Sequence, residues 1–331
     1  MKKLFVFVLS VCCLTTAVFY LSRLAPGDPL AAYYGDYVEK MGSKERALAE
    51  KRLGIHQPVS VQYIRWLKRA AHGDFGISYK YKTDVVQVIY ARAGNTLVLG
   101  GTGFLLVFLL APVFGVLCAR RQGSLFDRLM CKAGVISSCI PEFWLSFVLI
   151  LLFAIKCRWL PSSGAYTIGK ERDFTDRIRH LILPLSVVVL SHLWYYASLI
   201  RTRIIQEMEK DYALFAKAKG LRQERVLLLH CLRNVLPAYI SLMAVSVPHI
   251  LGGTYMIELV FSYPGLGTLA YESARYQDYN LLMLLCILSG ILVIVCSIAA
   301  QAVNEKIDPR IRFSQKTGSI IAHKGEHGNV P

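Results

Sequence analysis

This sequence is short of charge. Only 18% of its 331 residues are Asp, Glu, Lys or Arg, where a soluble domain has nearer a quarter. Acid is scarcer than base, 22 residues against 38, for a formal net charge of +16. The shortage is uneven. Whole stretches carry no charge, and the charged residues collect in blocks between them. With 54% hydrophobic residues, this segregation excludes an ordinary soluble domain and marks a polytopic membrane protein. Other chemistry is missing too. Nine cysteines are present, Cys12, Cys13, Cys118, Cys131, Cys139, Cys157, Cys231, Cys286 and Cys296, and only Cys157 is expected to face outward. They show no CxxC and no paired spacing, so neither a disulfide framework nor a metal site is supported. There is no HExxH zinc motif. Gly164 to Lys170 matches G-x-x-x-x-G-K, but Glu171 stands where a phosphate loop needs Ser or Thr for Mg²⁺, and it would repel phosphate. A membrane enzyme would need a nucleophile and base, and a channel or proton-coupled carrier a line of charges or an inverted repeat. None of these stands out.

What is present is length. Six segments reach the roughly 20 residues that a helix needs to cross the hydrocarbon layer: Leu4 to Ser22, Ala93 to Ala119, Ala133 to Ile155, Leu181 to Ile200, Asn234 to Ile257 and Tyr279 to Asn304. Their only intramembrane polar groups of note are Glu142 beside Pro141, His192 and His249, with Glu258 at the end of the fifth. Backbone groups in lipid must be satisfied within the segment, so the runs are helices and the fold class is all-α. Met1-Lys2-Lys3 ahead of the first run resembles a secretory signal. The run is long for one and no small-x-small site follows, so it reads as an uncleaved first span.

Lysine and arginine placement sets the orientation. The two sides carry 19 each when every loop is counted. The 23–92 loop exceeds the roughly 60 residues over which the rule applies, and dropping it leaves 19 against 7. Both termini are therefore expected in the cytoplasm. The net positive charge then calls for an anionic inner leaflet and not for nucleic acid. The expected organisation is a first span over 1–24, an extracytoplasmic insert over 25–92, a five-helix core over 93–304 and a cytoplasmic tail over 305–331, disordered after 313. The insert should hold a helix capped by Ser43 and ended at Gly54. A second should be opened by Pro58, with Ile64, Leu67 and Ala71 on one face, and closed at Gly73. A third, capped by Thr83 or Asp84, should feed the second span. The insert reads equally as a cap on the membrane domain or as a landing surface for an external partner.

Residues 205–236 form a basic, helix-prone hairpin between two spans. Glu207 to Lys219 predicts one helix with Tyr212, Phe215, Ala216 and Lys219 on one side. Gly220 turns the chain with a positive φ, and Arg222 to Val235 predicts a second helix stopped by Pro237. Ala213, Ala216 and Ala218 would let the backbone press into a groove on another protein. A basic amphipathic hairpin resting on the inner leaflet fits the same composition.

The residues themselves resemble a known family. Phe215-Ala-Lys-Ala-Lys-Gly-Leu221, followed by His230-Cys-Leu-Arg-Asn234 and Pro237, is similar to the coupling loop of ATP-binding-cassette importer permeases, in particular the B-type subunit of oligopeptide and dipeptide permeases. Five further segments resemble that family in order: Arg23-Leu-Ala-Pro-Gly-Asp-Pro29, Gly73-Asp-Phe-Gly-Ile-Ser78, Ile140-Pro-Glu-Phe-Trp144, Glu258 to Gly267, and Asp308-Pro-Arg-Ile-Arg312. Together they cover almost the whole chain. Two positions depart from the peptide branch: Phe215 stands in place of Thr and Lys217 in place of Arg.

The resemblance implies a multi-pass permease of a bacterial inner membrane, itself without catalytic activity, cofactor or metal. Its partners would be a second permease subunit of the C type, two ATPase subunits that carry ATP and Mg, an extracytoplasmic peptide-binding protein and the lipid bilayer. Tyr212, Ala213, Phe215, Ala216, Lys217, Ala218, Lys219, Gly220 and Leu221 would contact the ATPases. Glu142, His192, His249 and Glu258 are candidates for the substrate path, or else hold helices together. The cargo would be peptide, with nickel chelates or glutathione as alternatives within the class and a proton-coupled carrier as the alternative outside it.

Overall fold

A computed structural model describes residues 2–24, 30, 34–53 and 57–307. Gly54, residues 25–29 of the segment after the first span, and the tail from 308 onward lie outside these described residues. Helix dominates. Helix α1 is Lys2–Leu24, α2 Ser43–Leu53, α3 Val59–Ala70, α4 Val85–Arg120, α5 Leu125–Cys139, α6 Glu142–Lys156, α7 Phe174–Met208, α8 Asp211–Ala218, α9 Gln223–Val260, α10 Leu266–Arg275 and α11 Tyr279–Ile307. Among the described residues, five helices are long and apolar enough to cross a membrane, and six if the bent pair α5–α6 counts as one span.

The expected third span, Ala133 to Ile155, is this bent pair, broken at Pro141. The helix is interrupted between Cys139 and Glu142. Pro141 holds Ile140 extended at φ −84°, ψ 121° and cannot donate a helical hydrogen bond. The preceding turn is already loosened, because the hydroxyls of Ser137 and Ser138 both donate to the Gly134 carbonyl, at 3.1 and 2.9 Å. Pro112, Pro184, Pro237 and Pro248 instead lie inside continuous helices. Pro237 therefore does not stop α9, which runs on to Val260. A π-type turn at Val226–Cys231 widens the helix ahead of it, an adjustment by which spanning helices accommodate proline.

The chain forms two compact units, and it passes between them within α4, α7, α9 and α11 and at the Ile140–Pro141 break. Unit 1 comprises Met1–Gly103, Pro141–Val188 and Ile250–Ile294. Its insert is built much as the sequence suggests at the ends. Gly42 rather than Ser43 precedes the first helical residue, its carbonyl accepting from Arg46 N at 2.9 Å. Pro58 opens α3, Gly73 follows it with φ +83°, and Asp84 caps α4 by accepting from Val86 N at 2.7 Å. The Ile64–Leu67 face of α3 is not the one that packs inward. Ile64 and Leu67 are exposed, and Trp66 is buried instead. Trp66 packs with Phe19 of α1 and Met283 and Ile287 of α11, and Tyr63 OH lies 3.0 Å from both Thr15 and Thr16 hydroxyls. Val85, Val88 and Ile89 of α4 pack on Leu269, Leu281, Leu284 and Leu285. Buried Asp278 accepts from the Ser78 hydroxyl and the Lys80 amide, which ties the end of the insert to α11.

Unit 2 comprises Phe104–Ile140, Val189–His249 and Val295–Pro331. Phe108 of α4 meets Tyr196 of α7 and Tyr239 of α9, ring centroids 4.7 and 5.7 Å apart, and the Tyr239 hydroxyl donates to the Phe108 carbonyl. Asp127, buried at the start of α5, accepts two bonds from the Arg201 guanidinium of α7 and one from Gly123 N at 2.9 Å.

Candidate functional site

The hairpin in unit 2 is not the continuous helix and turn that the sequence predicts. The chain leaves α7 at Met208 and Lys210 is extended, so the helix predicted over Glu207 to Lys219 breaks there. Side-chain bonds account for the break. Glu207 accepts from Lys210 Nζ at 2.6 Å and from the Tyr212 hydroxyl at 2.7 Å, which folds the chain back before α8 begins. Tyr212 also lies beside Asn234 and Cys231 of α9. Burial, then the Glu207 carboxylate, push its phenol well above the ordinary range, so it stays neutral and can donate. One side chain thus joins α7, α8 and α9.

Helix α8 ends in a Schellman motif. Leu221 N donates to the Ala216 carbonyl at 3.2 Å and Gly220 N to that of Lys217 at 2.9 Å. The motif needs a left-handed residue, and Gly220 has φ +84° as the sequence predicts. The faces of α8 are divided otherwise than expected. Ala213 and Ala216 turn inward, with α8 packed on the buried π turn of Val226, Leu227 and Cys231. Leu214 and Phe215 are open, with Ala218 and Leu221 beside them, and Lys219 Nζ lies 4.4 Å from the Phe215 ring centroid. Lys217 is exposed on the same rim. Ala213 and Ala216 serve the chain's own packing, and the surface left open is an apolar patch rimmed by lysines.

The four intramembrane candidates fall into different surroundings. His192 and His249, both of unit 2, meet edge to face with ring centroids 5.6 Å apart. His192 is buried and also stacks on Tyr196, which hydrogen-bonds Ser246, while His249 is exposed. Glu142 and Glu258 belong to unit 1. The half-buried Glu142 carboxyl lies against the Gly253 backbone, 3.4 Å from where a Cβ would stand.

Glu258 is not an open lining group. It is fully buried and its oxygens are occupied, Oε1 by the Thr96 hydroxyl at 2.6 Å and Oε2 by Gly267 N at 2.7 Å and Thr268 N at 3.4 Å. Thr96 in turn accepts from Leu266 N, and Asn95 donates to the Pro264 carbonyl. The 263–268 turn is thereby clasped to α4, with the carboxylate set at the N-terminal end of α10, where the helix dipole favours it. Glycine is required at 265 and 267 because a Cβ at either would overlap the Glu258 carboxyl.

Glu258→Gln replaces one acceptor oxygen with an amide nitrogen and Glu258→Ala removes the acceptors altogether. Gln is expected to cost about 1.5–3 kcal/mol and Ala more, with assembly retained in Gln and uptake reduced. Thermal unfolding of the purified chain in detergent measures this. Melting unchanged in both variants would show the clasp to be energetically idle.

Sequence reasoning missed Thr96, Asn95, Asp127 and the bonds of Tyr212. Their partners lie far away in the chain, and no local pattern announces such pairs.

Residues 111–313 match the family described as binding-protein-dependent transport system inner membrane component. The chain belongs to that family. It is 34% identical over 301 residues to the oligopeptide transport system permease protein AppB of Bacillus subtilis (strain 168), covering 91% of this chain and 94% of that one. It is 32% identical, with the same coverage, to the oligopeptide transport system permease protein OppB of Haemophilus influenzae (strain ATCC 51907 / DSM 11121 / KW20 / Rd). Its fold is similar to that of a chain in an inward-facing structure of the MetNI methionine ABC transporter, with a TM-score of 0.54 at 15% identity over 67% of this chain and 97% of that one. Like other inner membrane components of this family, it is a multi-pass membrane protein.

Proposed function

We infer that this chain is a permease subunit of an ATP-binding-cassette importer for peptides. In this reading both termini lie in the cytoplasm, a second permease subunit completes the path, two ATPase subunits bind ATP and Mg, and an external binding protein delivers the cargo. Family membership and the naming of relatives as oligopeptide permeases support the class and the cargo. One observation carries the mechanism: the hairpin is locked to both neighbouring spans through Tyr212 and Glu207 while Leu214 and Phe215 are open. A partner gripping that patch would move α7 and α9 together when ATP closes the ATPase pair. Nucleotide can shift the equilibrium between inward-open and outward-open states only through such a difference in contact between them.

Two measurements test the reading. Cysteine labelling in intact cells should reach single cysteines at 36–90 and 162–178 from outside, and one at Gln223 only after the membrane is opened. Labelling of Gln223 from outside would overturn the orientation. Reconstituted with its partner permease and the ATPase pair, the chain should take up tri-alanine only with ATP and binding protein present. Uptake by the chain alone would make it a carrier.

A further inference from the structure

The insert, α4 and α10 of unit 1 enclose a half-open pocket of about 230 Å³ that the importer reading leaves unassigned. Among the ionisable residues lining it are three cations, Lys80, Arg92 and Arg275, and one carboxylate, Glu272. That carboxylate is already committed. Glu272 Oε2 accepts from Lys80 Nζ at 2.7 Å and from the Tyr81 hydroxyl at 2.5 Å. Burial alone would raise its pKa, but these bonds outweigh it and hold it below the ordinary carboxylate value, so it is ionised at neutral pH. Lys80 is likewise engaged, paired with Glu272 and lying 4.3 Å from the Tyr276 ring centroid. Arg92 and Arg275 form no ion pair among the described residues; Arg92 lies within the field of the Glu272 carboxylate and Arg275 Cζ stands 5.8 Å from the Tyr276 ring centroid, so the pocket sets three cations against one anion. Tyr271 and Tyr276 stand exposed at its rim.

We propose that this pocket binds the free carboxylate of a peptide. Two guanidinium groups lining one pocket, beyond the lysine that Glu272 pairs with, suit the planar, bidentate recognition of a carboxylate. The pocket's size admits a terminal residue and its carboxylate, not the face of a docked protein. The tyrosine rings offer stacking surface without demanding one side chain, which suits cargo of variable sequence. The floor includes Ser262, Pro264 and Thr268, so an occupant would rest on the turn that Glu258 clasps. The proposal rests on the peptide-importer reading for its cargo, and on the inferred orientation for its access from outside.

The test uses the purified full-length chain in lipid nanodiscs, with tri-alanine and its C-terminal amide as probes followed by saturation-transfer NMR. Tri-alanine should bind about tenfold or more tighter than the amide. Arg92→Gln and Arg275→Gln should each weaken tri-alanine by about fivefold or more and leave the amide unchanged, while Arg275→Lys keeps part of the binding. Neither arginine holds an ion pair, so both Gln variants are expected to melt with the wild type. The acid–amide difference on the wild-type chain stands even if a variant misfolds. Equal binding of acid and amide would overturn the proposal. So would variants that weaken association of the external binding protein while tri-alanine binds as before, which would assign the pocket to an acidic side chain of that protein. ATP-driven uptake of tri-alanine by the wild-type assembly judges the importer reading separately.

Discussion

Arg201→Met is expected to destabilise unit 2 by about 3–5 kcal/mol, the cost of breaking a buried ion pair from one side. Asp127 is 3% exposed and Arg201 20%, so neither charge is solvated well enough to stand alone. With the guanidinium gone, the carboxylate keeps only Gly123 N at 2.9 Å and the weak Cys131 thiol at 3.9 Å. The damage should reach the hairpin, because Arg201 lies two turns before Met208, where α7 gives way to the loop. Thermal melting in detergent and limited proteolysis at Lys210 read the two effects. The double substitution Asp127→Leu with Arg201→Met removes both charges, so it should recover part of the loss. A double variant less stable than Arg201→Met would mean that the pair itself is not the source of the cost.

The second large effect concerns Gly220 and separates conformation from contact. A Cβ there meets nothing within 4 Å, so a side chain has room. The only local penalty is the left-handed backbone, roughly 1–2 kcal/mol for an ordinary L-residue and more for a β-branched one. Asn tolerates that region far better. Gly220→Val should therefore insert and melt close to wild type, yet unseat the Schellman turn and tilt α8. ATP-driven uptake in the reconstituted assembly is expected to fall about tenfold or more, and Gly220→Asn to keep at least about half. A loop that merely rested on lipid would tolerate Val, with near-normal uptake, and that result would sink the coupling assignment. Ala216→Glu is a poorer probe than its place in the loop suggests. Its side chain points into the chain's own packing, so a loss of uptake would report a disrupted hairpin.

The spans were readable because hydrophobic length is a one-dimensional property: a run of twenty apolar residues satisfies the bilayer wherever its neighbours lie. Gly220 was readable for a similar reason, since a glycine following a strong helix former is a local signal for a left-handed turn. Asp84 and Pro58 at helix starts are of the same kind. Where two local readings competed, neighbours chose. Helix α3 offers Ile64 and Leu67 on one side and Tyr63 and Trp66 on another, and Phe19 with Met283 and Ile287 buried the aromatic side. Pro141 broke a span while Pro112, Pro184, Pro237 and Pro248 did not, so proline alone does not announce which helix breaks. Ala216 turned inward since the π turn of α9 lay ready to receive it. The polar pairings were beyond the sequence altogether. Thr96 and Glu258 are 162 residues apart, and Asp127 and Arg201 are 74 apart. A hydrogen bond depends on atoms a few ångströms apart, and only the folded chain decides which distant residues come that close.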